Sequence, residues 1–145
     1  MSEAVVVREG EGHTVTWGPA GTIRILGGAE STGGAFSVVE AVEAPGSAAP
    51  LHVHRGEAEA FYVVEGAIEL TCGGQTLTAR AGDFVHTPAG VPHRYAVVGD
   101  RPARVLLLFS RPGFEQFFAE ASAAQERIPE VLAKYDLEVL EPFGH

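Results

Sequence analysis

The chain has 145 residues, a formal net charge of −9, 46% hydrophobic and 20% charged residues, 18 glycines, nine prolines and one cysteine. That length suits one domain with its own core and no need of cross-links. The acidic balance excludes a nucleic-acid or anionic-membrane surface, which needs concentrated Lys and Arg. Cys72 stands alone, which excludes a disulfide framework and a Cys-based metal or redox motif; it is read as a small buried hydrophobe.

The opening stretch MSEAVVVREGEGH has neither the basic start nor the long apolar run of a signal peptide. VLLLF (105–109) is too short to span a bilayer, so a cytoplasmic protein of bacterial type is expected. From Ala4 to about Phe109 the chain reads as short β segments: AVVVRE, HTVTW, TIRILGG, AFSVVEAVEA, AFYVVEG, AIELTC, QTLTA, DFVHTP, HRYAVV and RVLLLFS. Ile68, Leu70 and Cys72 alternate with Glu69 and Thr71, the pattern of a half-buried strand. Gly73-Gly74 between two such segments signals a tight hairpin. With no helix between strands to make a parallel crossover, the fold class is all-β, a sandwich or barrel.

After Ser110 the period changes. Phe114, Phe117 and Phe118, and then Ile128, Val131, Leu132 and Tyr135, recur at helical spacing, with Pro112 and Pro129 where helices begin. Two short C-terminal helices are expected to lay their apolar stripes on the outside of the β core. The expected organisation is a barrel over 1–110, N-terminal strands included, and a helical extension over 111–145 packed on the same domain.

The chemistry is concentrated in PGSAAPLHVHRGEAEAFYVVEG, residues 45–66. In an extended strand residues i and i+2 share a face, so His52 and His54 aim at one point. A loop through Arg55, Gly56 and Glu57 lets the next strand bring Glu59 alongside, with Phe61 and Val63 on the same face. In GDFVHTPAGVPHRYAVV, Pro88, Gly90 and Pro92 constrain a turn that delivers His93 as a third imidazole. Three neutral imidazoles and one carboxylate suit a divalent first-row metal and leave two octahedral positions open.

These residues resemble the cupin superfamily. Gly46, His52, His54, Glu59 and Gly66 fit the pattern G-x5-H-x-H-x4-E-x6-G, and Gly82, Pro88, Gly90 and His93 fit G-x5-P-x-G-x2-H. The second pattern's terminal Asn would fall at Val97, where this chain departs; that position is not a metal ligand. TGGAFSVVEA, EAFYVVEG and RPGFEQFF further resemble small bacterial cupins described as quercetin 2,3-dioxygenase-like.

The resemblance implies a cupin jelly-roll barrel with one divalent transition metal, Fe, Mn, Ni, Co or Zn, on His52, His54, Glu59 and His93. It implies a metal-dependent dioxygenase of a small aromatic or enol substrate, with dioxygen as co-substrate and Glu59 as the group that takes the substrate proton. The alternatives are a non-oxidative isomerase, cyclase or decarboxylase on the same site, and a non-catalytic binder of small molecules. Tyr95, Phe36, Phe61 and Val63 are the candidate substrate-binding residues. Glu57 is read as a solvated loop carboxylate, His86 as a non-ligand, and Arg55 and Arg94 as charges flanking the mouth. His13 and His145 have no visible partners. A homodimer is expected, since cupins commonly pair and VLLLF is apolar on both faces, although the helices could equally cover that outer face.

Overall fold

Eleven strands and two short helices make up the fold, in a computed structural model that describes residues 3–141. The strands are β1 (Thr14–Trp17), β2 (Gly21–Gly27), β3 (Ser37–Glu43), β4 (Ala48–His54), β5 (Glu59–Glu65), β6 (Ala67–Cys72), β7 (Gln75–Arg80), β8 (Phe84–Thr87), β9 (His93–Val98), β10 (Ala103–Phe109) and β11 (Leu137–Val139). The helices are α1 (Gln116–Ala123) and α2 (Ile128–Lys134).

Pairing is antiparallel throughout, in a six-stranded sheet ordered β1-β2-β3-β10-β5-β8 and a five-stranded sheet ordered β11-β4-β9-β6-β7. After β3 the chain changes sheet at almost every connection, which is the jelly-roll way of burying two inner faces against each other. The two sheets do not close into a continuous barrel among the described residues.

The alternation read from the sequence governs the core. Ile23, Val39, Ala41, Phe61, Val63, Ile68, Leu70, Val97, Val105 and Leu107 point inward and are buried. Cys72 is half-buried at the end of β6, not fully enclosed, because it neighbours the open hairpin turn at Gly73-Gly74. At Gly66 φ is +77°, and a Cβ there would meet the Pro102 carbonyl oxygen at 2.6 Å, so the sharp passage from β5 to β6 admits only glycine.

The C-terminal segment closes one end of the sandwich. Its helices have no side-chain N-cap, so packing rather than local propensity holds them. Phe114 lies 4.4 Å from Phe109 between ring centroids, and Trp17 packs edge-on against Phe117 and Phe118 at 6.0 and 5.1 Å. Pro129 sits in the first turn of α2, whereas Pro112 opens a turn ahead of α1.

Two expectations fail. AVVVRE forms no strand, and Val5 and Val6 are 64% and 58% exposed. Conversely, β11 continues directly from α2: Asp136, at φ +54°, breaks the helix and turns the chain into a strand that pairs with β4, Leu137 opposite His54 and Val139 opposite His52. No helix among the described residues is long and apolar enough to cross a membrane. His145 lies outside the described residues.

Candidate metal centre

β4, β5 and β9 bring His52, His54, Glu59 and His93 together. His52 pairs directly with His93 across the β4–β9 ladder, where an irregularity between Ala49 and His52 shifts the register. The turn before β9 is anchored on β4: Gly90 N–H donates to the His54 carbonyl at 2.8 Å, which sets where His93 enters. Ring centroids of the three histidines lie 4.4 to 5.3 Å apart. One ligand atom from each of the four side chains lies within 4.8 Å of all the others.

Every imidazole is oriented from behind. The Nδ1 atoms contact acceptors away from the centre: His52 the Pro50 carbonyl at 2.7 Å, His93 the Val91 carbonyl at 3.3 Å, and His54 the Glu57 carboxylate at 2.6 Å. An Nδ1–H so placed leaves the Nε2 lone pair for the centre, the arrangement of metal-ligating histidines.

The donor set therefore fits a divalent cation. His54 Nε2 is buried without a directed hydrogen-bond partner, although Glu59 Oε1 lies 3.1 Å away, and the same oxygen is 3.0 Å from His93 Nε2. One carboxylate oxygen facing two imidazole nitrogens in a buried site is a place for positive charge.

Without a cation, that charge is a proton. Burial opposes protonation of His54, but Glu57 and Glu59 outweigh it and hold the imidazole at about 9. Burial likewise opposes ionisation of Glu59, yet His54 and His93 bring its carboxyl down to about 2. Burial, followed by the neighbouring His93, lowers His52 to about 4.

Glu57 is a correction. It is 2% exposed rather than solvated, because the loop folds back so that one carboxylate oxygen meets His54 while the other faces Arg111 Nη1 at 3.7 Å. Arg111 also donates to the Tyr135 carbonyl at 3.2 Å and to Asp136 at 3.1 Å, tying this loop to the C-terminal segment.

Phe36 is also corrected: it stands one residue before β3, outside the sandwich, and is 46% exposed. Phe61 and Val63 do share Glu59's inward direction, but they are enclosed in the core behind the centre, with Phe61 edge-on to His93 and Tyr95. Tyr95 lines the cavity and donates to Glu43 Oε2 at 2.7 Å. His86 and Phe84 face outward. Arg55 and Arg94 are surface residues paired with Glu138 and Glu141, and His13 is exposed.

A cavity of about 110 Å³ opens on His52, His54 and Glu59. Its walls are apolar, with Trp17, Phe109, Phe114 and Phe118 prominent, and no Lys or Arg lines it among the described residues. Sequence reading missed Trp17, which lines this cavity, and Glu43, the buried partner of Tyr95. The signal for Glu43 was present: it continues the inward series Ser37, Val39 and Ala41 of β3. Burial, offset by the Tyr95 hydroxyl and reinforced by the charge of Glu59, raises its carboxyl above the usual range.

A family model for the cupin domain matches residues 39–109, which contain all four clustered side chains. Quercetin 2,3-dioxygenase of Bacillus subtilis is 34% identical over 96 residues, covering 66% of this chain and 28% of that protein. The chain spans less than two thirds of the length of the curated relatives it matches. Among solved structures, a predicted oxalate decarboxylase of Thermotoga maritima superposes with a TM-score of 0.67 at 24% identity, over 74% of this chain and 99% of that one. A sugar phosphate isomerase from Silicibacter pomeroyi superposes with a TM-score of 0.55 at 26% identity, over 63% and 59%. Fold, family model and the motif residues themselves agree: this chain belongs to the cupin superfamily.

Proposed function

We propose that this chain is a metal-dependent dioxygenase of a small aromatic or enol-bearing substrate; it is similar to a relative named quercetin 2,3-dioxygenase. The observation that carries this reading is the cavity, whose aromatic walls end on His52, His54 and Glu59 and include no Lys or Arg among the described residues. A flat neutral ring is the cargo such walls accept.

His52, His54, Glu59 and His93 would hold one divalent transition metal, which supplies a polarised substrate oxygen and room for dioxygen. Glu59 Oε1, an ionised oxygen facing the centre beside His54 and His93, takes or shares the hydroxyl proton of the enol. The three outward Nδ1 contacts keep the imidazoles aimed during the reaction. Phe109, Phe114 and Phe118 exclude bulk water and fix the ring.

The test is to mix metal-replete protein anaerobically with a flavonol, admit oxygen, and analyse products. Ring cleavage with oxygen uptake is expected. Conversion without oxygen would replace this reading with the isomerase, cyclase or decarboxylase class, and unchanged ligand would leave a binding module.

A homodimer belongs to the same reading. Tyr62 and Phe84 face each other in the β5–β8 register and are both exposed on the outer sheet face, an apolar pair that a second copy would cover. A monomer by light scattering would remove it.

A further inference from the structure

Glu43 is a buried acid that the metal centre does not use. It ends β3 on the inward face and is 6% exposed, and Tyr95 is the one hydrogen-bond partner of its carboxylate among the described residues. Placing a carboxylate inward costs hydration that one phenol does not restore.

The position has an outlet. Glu43 lines a second cavity of about 590 Å³, bounded also by Thr16, Trp17, Ala48, Ser122 and Ile128. Trp17, Ala49, Pro50 and Tyr95 line both this cavity and the one at the metal centre, so the two adjoin. Among the described residues no Lys or Arg lines either. An acceptor without a cation beside it selects a hydrogen-bond donor and rejects an anion.

We propose that the outer cavity is a second substrate subsite, in which Glu43, oriented by Tyr95, accepts a hydrogen bond from a hydroxyl group of the bound molecule. This rests on the proposed function, which puts the enol end of the same molecule at the histidine cluster. The protein then discriminates among neutral aromatic enols by a hydroxyl remote from the reacting one. Glu43 acts as a specificity residue, and Tyr95 positions it.

Trp17 is the single tryptophan of the chain and borders both cavities, so its fluorescence reports occupancy. The metal-loaded full chain is titrated without oxygen with quercetin and with 3-hydroxyflavone, which share the enol but differ in the hydroxyls on their other rings. Quercetin is expected to bind about tenfold more tightly, the order of one hydrogen bond to a charged acceptor. Glu43→Ala is expected to abolish that preference while leaving 3-hydroxyflavone affinity within about twofold. Glu43→Gln, which retains an acceptor, keeps part of the preference and guards against a folding defect in the alanine variant. Loss of affinity for both ligands alike in both variants would mean a merely structural role and overturn the subsite. Equal binding of the two ligands by the unaltered chain would overturn it while leaving the metal-centre reading intact. Binding of neither would overturn that reading and the subsite with it.

Discussion

His54 Nδ1 and Glu57 Oε2 lie 2.6 Å apart with both side chains buried, an imidazole held by a carboxylate on the side away from the ligand cluster. This contact is the strongest of the three that orient the imidazoles, since its acceptor is a carboxylate and the others are carbonyls. It fixes the ring and makes Nε2 more basic towards a cation. Glu57→Gln keeps the shape and removes the charge, so metal affinity is expected to fall by about 10- to 100-fold with the fold retained. Competition with a chromogenic chelator measures the affinity, and circular dichroism checks the fold. Unchanged affinity would show that Glu57 serves only to pack the loop.

His93→Ala removes the imidazole that the Pro88–Pro92 turn delivers opposite His52. Loss of stoichiometric metal is expected, read by elemental analysis of protein purified without chelator. Arg94→Ala, beside it in sequence but on the outer surface with Glu141, should retain full metal content. Equal metal in all three proteins would place the bound ion elsewhere.

The ligand cluster was legible because its geometry is local: two histidines of one strand, a carboxylate at the start of the next, and an imidazole fixed by a proline-glycine turn. Other features depend on contacts that no short window contains. Glu57 is buried where its carboxylate meets His54 on one side and Arg111, from beyond β10, on the other. β11 exists only because Asp136 takes a left-handed turn and finds the free edge of β4. Phe36 shows how narrow the margin is within a strand pattern. It precedes Ser37, the first inward residue of β3, and one residue of register carries it to the opposite face. For Phe61 and Val63 the face was right and the depth was not, since the cavity extends from the centre towards α1 rather than into the sandwich.

The metal-free protein should lose stability as pH rises from about 6.5 to 9. His54 is raised from 6.5 to about 9 on folding, so its contribution is complete below 6.5 and is lost as pH climbs through 9. His52, lowered to about 4, has the opposite sign: its contribution is complete above 6.5 and fades as pH falls towards 4. Glu59, lowered to about 2, contributes above 4.5 and loses that only in strong acid. Between 6.5 and 9 His54 alone of the three changes, and the loss is on the order of a few kcal/mol at most. Urea midpoints measured with chelator should fall across this window. With saturating zinc a cation takes the place of the proton, and the slope should vanish. A flat chelator series would mean that His54 is not protonated in the free protein.

Phe114 couples the C-terminal segment to both the core and the histidine cluster. It is fully buried, stacks near Phe109 and Phe117, meets Tyr135 edge-on, and its ring centroid is 5.3 Å from that of His54. Phe114→Ala therefore removes a core side chain and a wall of the cavity together. Unfolding free energy should fall by about 3–5 kcal/mol, the range for a buried aromatic truncated to alanine. Of the four clustered side chains, His54 alone has a ring contact with Phe114 among the described residues, so metal stoichiometry at low temperature should survive. Urea denaturation and elemental analysis on the same preparation separate these effects. Metal lost along with stability would show that the helical segment builds the centre instead of merely covering it.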